Sequence, residues 1–96
     1  MTVSTNTIAK LNGYALMSAT VEGYKSERLY VEQSENAKKL YYHGLLTYMA
    51  DENIVGVSTA AFGDKTPEFV REYAFELVRA VDAADYFNDV IANRYK

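Results

Sequence analysis

Thr66-Pro67-Glu68 constrains this chain more tightly than any other segment. Thr66 offers a side-chain oxygen to the free N–H groups of a first helical turn, and Pro67 falls where its missing N–H costs nothing. Glu68 places a negative charge at the positive end of the helix dipole. A helix therefore starts here, and the residues after it carry its period. Val70, Tyr73, Ala74, Leu77, Ala80, Val81 and Ala84 recur at spacings of three and four along one face, with Glu68, Glu72, Glu76, Arg79 and Asp82 on the other. Beyond Ala84 the same register would bury Asn88 and leave Tyr86 on the polar side. Tyr86, Phe87, Val90 and Ile91 instead make a face of their own, turned by roughly 100° at 3.6 residues per turn. We therefore predict a break or bend near Asp82–Asp85, giving two helices or one bent helix.

The apolar stripe of such a helix needs a surface to cover, and the N-terminal half supplies β-structure. Residues 1–7 are mostly Ser, Thr and Asn, and we predict that they are frayed. From Tyr14 the pattern alternates, with Ala15, Met17, Ala19 and Val21 on one face and Ser18, Thr20 and Glu22 on the other. Gly23-Tyr24-Lys25-Ser26 reads as a turn. Leu29-Tyr30-Val31-Glu32 alternates again, so the two runs predict an antiparallel hairpin. Ser34 can cap a helix that opens with Glu35 and continues through Ala37, Leu40, Tyr41, Gly44 and Tyr48. Residues 40–49 are apolar nearly all round. A third strand paired with Leu29–Val31 competes with the helix there, and helix is the reading we favour. Ile54-Val55-Gly56-Val57-Ser58 reads as a short strand, and Gly63-Asp64-Lys65 as a loop. The expectation is a single α+β domain over residues 8–96. Its small antiparallel sheet, an N-terminal hairpin plus a short third strand, packs on three helices in the order β-β-α-β-α-α.

Several function classes drop out on composition. Ninety-six residues make one domain, and with 49% hydrophobic and 24% charged residues the chain has the balance of a globular protein rather than a disordered one. There is no cysteine, which removes disulfides, thiol catalysis and thiolate metal sites. One histidine, His43, cannot build a multi-histidine metal centre. His43 has no nucleophile at a recognisable motif spacing, and phosphate-binding loops, zinc spacings and nucleophile elbows are missing. We accordingly expect no enzyme, no cofactor and no metal. No apolar run reaches the roughly 18–20 residues of a membrane span, and the start lacks the basic-then-apolar layout of a signal peptide. The expected location is the cytoplasm, with no membrane partner.

The formal charge of −3 is unevenly spread. Residues 51–91 hold nine acids against Lys65, Arg71 and Arg79, a balance of −6. A duplex-DNA binder would show a basic face, so direct double-stranded DNA binding is not expected. Lys25, Arg28, Lys38 and Lys39 could gather into a small basic patch, which solvated turn residues explain as well. The acidic ladder Glu68, Glu72, Glu76 could dock a basic surface or simply be a solvated helix face. Asp82, Asp85 and Asp89 match no calcium-loop spacing.

Nine tyrosines without a tryptophan favour amphipathic contact surfaces, and Phe75 falls among Glu72, Glu76 and Arg79 on the charged face. We therefore expect a small non-enzymatic interaction module. Its candidate partner-binding residues are Tyr42, Glu68, Glu72, Phe75, Glu76, Arg79 and Tyr86. The partner would be another protein, such as a nucleic-acid-binding complex with a basic surface, or a second copy in a homo-oligomer. Size, acidity and the missing enzymatic signatures are also those of phage or mobile-element accessory proteins that inhibit a host complex, the anti-CRISPR and anti-defence type included. The alternative is a small-molecule sensor with a pocket lined by Tyr41, Tyr48 and Tyr73.

Overall fold

The computed structural model describes residues 2–94; Met1, Tyr95 and Lys96 lie outside the described residues. Asn12-Gly13 sets the start of the fold. Both residues take positive φ, 55° and 86°, as a two-residue type I′ hairpin requires. Strand β1 (Val3–Leu11) and strand β2 (Tyr14–Val21) pair antiparallel across this turn from Leu11↔Tyr14 to Val3↔Val21, with a register shift between Thr7 and Ala9. The N-terminal residues expected to be frayed thus belong to an edge strand from Val3 onward. Thr5 and Thr7, which look loop-like by polarity, are β-branched and suit a solvated edge.

Strand β3 (Arg28–Glu32) pairs antiparallel with β2, from Ala19↔Arg28 to Ala15↔Glu32, as the alternating runs predict. The three-stranded sheet has the order β1-β2-β3. As the central strand, β2 is buried at every residue from Tyr14 to Ser18 instead of on alternate ones. The face that meets the main core carries Tyr14 and Leu16, opposite to Ala15 and Met17.

Ser34 caps the next helix as expected, its Oγ accepting from the Ala37 N–H at 3.0 Å, but helix α1 (Glu35–Leu40) is only six residues long. Two interactions stop it. Gly44 takes φ +79°, outside helical space, and its amide closes a turn on the Tyr41 carbonyl at 2.8 Å. The Gln33 side chain then captures the backbone that follows. Its Oε1 accepts from the Leu45 and Leu46 N–H groups, both at 3.0 Å, and its Nε2 donates to the Leu46 carbonyl at 2.7 Å. Residues predicted to continue the helix instead form strand β4 (Leu46–Met49). It pairs antiparallel with strand β5 (Ile54–Val57), the short strand expected there, and not with β3. There are consequently two sheets, of three and two strands, in place of one.

A short 3-10 turn (Ala60–Phe62) leads to helix α2 (Pro67–Arg94). Thr66 caps it as predicted, with Oγ1 accepting from the Phe69 N–H at 3.2 Å. The helix is one uninterrupted element of 28 residues, so the expected break near Asp82–Asp85 does not occur, and three helices become one long helix and one short one. Asn88 sits near the core without disrupting it because β5 answers both of its polar atoms. Oδ1 accepts from the Val55 N–H at 2.6 Å and Nδ2 donates to the Val55 carbonyl at 3.0 Å.

The core is bounded by α2 on one side and both sheets on the other. Ala80, Ala83, Ala84, Phe87 and Ile91 of α2 pack with Tyr14, Leu16, Leu29, Ala37, Leu45, Leu46 and Val55. The three alanines let the helix backbone approach the strands closely. At the far end of α2, Arg94 grips Glu27 of the β2–β3 connection with Nε and Nη2 at 2.8–3.1 Å, tying that loop to the last helical turn.

Candidate functional site

Helix α2 presents its inward stripe at Glu76, Ala80, Ala83, Ala84, Phe87 and Ile91, all buried. This stripe is turned by about 60° from the predicted one at 3.6 residues per turn. Ala80 and Ala84 are inside as expected, Tyr73, Ala74 and Leu77 are half-buried, and Val70 and Val81 are exposed.

The rotation takes Glu76 out of the acidic ladder and into the protein, where it is 5% exposed. Tyr14 Oη donates to its Oε2 at 2.6 Å and Ser34 Oγ donates to the same oxygen at 3.0 Å. Arg79 Nε lies 3.6 Å from Oε1, an oxygen that is buried with no hydrogen-bond partner. A carboxylate taken from water needs this company, and it joins three elements in return: β2, the cap of α1 and α2. Burial, and then the carboxylate of Glu76, push the Tyr14 phenol well above its ordinary pKa, so Tyr14 stays a donor. Close by, the Asn12 side chain donates to the Arg79 carbonyl at 3.1 Å, pinning the first hairpin turn to α2. Tyr14, Ser34 and Glu76 are buried, and the cluster holds the hairpin, the cap and the helix in one geometry.

The remaining candidates lie on the surface. Glu68 and Glu72 are exposed, Arg79 is half-buried, and Phe75 is 70% exposed. Val78 is 56% exposed and Val81 40%, and both belong to the same outward side of α2. Tyr86, 43% exposed, lies further along that helix. Tyr42 is on a different element, the 41–45 segment, with its ring centroid 3.8 Å from that of His43. The structure therefore brings Glu68, Glu72, Phe75, Arg79 and Tyr86 onto one helix, moves Glu76 behind them, and leaves Tyr42 elsewhere.

Comparison with family models, with curated proteins and with solved structures found no match.

Tyr41, Tyr48 and Tyr73, expected to line one pocket, are distributed over separate sites. Tyr48 borders a depression of about 380 Å³ with Glu27 and Leu29, and Tyr73 borders one of about 260 Å³ with Asn36, Lys39, Glu72, Phe75 and Glu76. Tyr41 has its ring against Tyr42 and His43. Among the described residues no group of three or more His, Asp and Glu is placed to hold a metal ion, and no helix is long and apolar enough to cross a membrane. Gln33, Asn88 and Asn12, the polar residues that hold the site's elements in place, are absent from the sequence-based candidates. Only Asn12 carries a local signal, as the first half of an Asn-Gly hairpin turn.

Proposed function

We propose that the chain is a non-enzymatic protein-interaction module of the cytoplasm that docks through the outward side of α2. One observation carries this reading: Phe75 and Val78, 70% and 56% exposed, stand together on the side of α2 turned away from the core, with Val81 alongside. A contiguous apolar patch rimmed by charge is the surface form of an interaction site, and the rim here is Glu68, Arg71, Glu72 and Asp82. Phe75 is the anchor, a large side chain whose burial the fold itself does not provide.

The test is capture from the source cell with wild-type protein beside a Phe75→Asp/Val78→Asp variant whose circular dichroism and melting match the wild type. A stoichiometric partner held by the wild type and lost by the variant supports the reading. A partner held equally by both puts the docking surface elsewhere. Inhibition of a host complex, as by a phage or mobile-element protein, is the narrower form of the same proposal. The balance of −6 over residues 51–91 favours a basic partner surface for it.

A further inference from the structure

The outward side of α2 has a pattern that fits one occupant in particular. Arg71, Phe75, Val78 and Asp82 follow one another at spacings of four, three and four, which keeps them within one narrow stripe of the helix. All four are exposed, and they stand opposite the buried stripe of Glu76, Ala80, Ala83 and Phe87. Among the described residues neither Arg71 nor Asp82 makes an ion pair within the chain.

The spacing reads the same in both directions, while the chemistry runs positive, apolar, apolar, negative. A stripe of this kind is self-complementary about a two-fold axis perpendicular to the helix. When two copies lie antiparallel, Phe75 of each meets Val78 of the other, and Arg71 of each meets Asp82 of the other. A parallel pair would set Arg71 against Arg71 and Asp82 against Asp82, so the charges select the antiparallel arrangement. One layer further out the same symmetry brings Glu68 up to Asp85, two acids, and the contact ends there.

Resting on the docking reading above, we propose that the occupant of this surface is a second copy of the chain, joined by an antiparallel α2–α2 contact of four layers from Arg71 to Asp82. At 1.5 Å per residue the contact runs along about 16 Å of helix, which places it among small, transient interfaces. The dimer is therefore to be sought at high micromolar concentration.

Sedimentation equilibrium on the full chain from roughly 10 µM to 1 mM tests this. The wild type is expected to move from monomer to twice the monomer mass, and Phe75→Asp to remain monomeric. Arg71→Asp and Asp82→Arg, taken singly, each place like charges across both end layers and weaken the dimer by roughly tenfold or more. An equimolar mixture of these two variants restores opposite charges at both ends and returns association to the wild-type level as a heterodimer. A wild type that stays monomeric throughout the range overturns the second copy. If a captured partner still depends on Phe75, the docking reading survives that result; if none does, both fall. Single charge variants that associate like the wild type, or a mixture that associates no better than its components, overturn the antiparallel register.

Discussion

Replacing Tyr14 by Phe removes one hydroxyl from the interior and tests the account of Glu76 directly. The Tyr14 hydroxyl is the closest donor to the carboxylate, at 2.6 Å, in a site where Tyr14 is 1% and Glu76 5% exposed. A hydrogen bond to a charged group contributes about 1.5–3 kcal/mol, and the Phe ring fills nearly the same volume. The expected loss at pH 7 is about 2 kcal/mol. The same geometry fixes a pH dependence. Because the folded phenol is held above its ordinary pKa of 10.0, its contribution is complete below pH 10. Above that pH the unfolded chain releases the Tyr14 proton while the folded chain keeps it, so stability falls as pH rises. The slope from this one group is about 1.4 kcal/mol per pH unit. The gap between wild type and Tyr14→Phe should accordingly stay constant from pH 7 to 9.5 and nearly close by about pH 11.5. Urea unfolding followed by far-UV circular dichroism measures it, since the other eight tyrosines and the lysines are common to both proteins. A gap that stays constant to pH 11.5 would refute the reasoning, for it would mean that Tyr14 titrates alike in both states.

Two further substitutions probe the joints that sequence patterns do not show. Asn88→Ala frees the N–H and carbonyl of Val55 and should cost about 1–3 kcal/mol, with faster hydrogen exchange at the Val55 amide marking the loss. Gly44→Ala forces a side chain onto φ +79° and drives its Cβ into the Gln33 side chain, so a loss above about 2 kcal/mol is expected by urea unfolding. In a Gln33→Ala background the added penalty of Gly44→Ala should fall to about the backbone strain of 1–2 kcal/mol, and strict additivity would contradict the steric account.

Where residues determine structure locally, the sequence was legible. Thr66-Pro67, the Ser34 cap, the β2–β3 hairpin and β5 all rest on neighbours within a few positions, and they appear where expected. Strand β1 is missing from the predicted elements although Asn12-Gly13 between Leu11 and Tyr14 signals its turn, and its polar residues resemble a frayed end because an edge strand keeps contact with water. The other failures all involve partners far along the chain. Residues 41–49 are apolar all round, so periodicity cannot separate helix from strand there, and Gln33 decides the matter from outside the segment. Glu76 and Asn88 look like outward residues because polarity is local information. What admits them to the interior is Tyr14, Ser34 and the Val55 backbone, 62, 42 and 33 residues away.

These polar joints also account for the exposed side of α2. A helix oriented by apolar burial alone would turn Val70, Leu77 and Val81 towards the sheets and expel Glu76, which is the orientation the hydrophobic pattern predicts. The hydrogen bonds to Glu76 and Asn88 hold the helix about 60° away from that orientation, and rigid rotation of one long element moves every residue on it together. Val70 and Val81 are therefore partly exposed, and Val78 turns outward to join Phe75, which faces away from the core in either orientation. Two hydrophilic residues inside and four apolar ones outside make a poor arrangement for an isolated monomer and a consistent one for a helix whose outer face meets another surface. Glu76→Leu combined with Tyr14→Phe would remove the polar lock and fill its place with apolar volume. If the lock sets the helix orientation, solvent protection of Val70 and Val81 rises in the double variant, and association through the Phe75–Val78 pair weakens as Val78 turns aside. Unchanged protection at both valines would mean that the apolar packing of α2 alone holds the rotation.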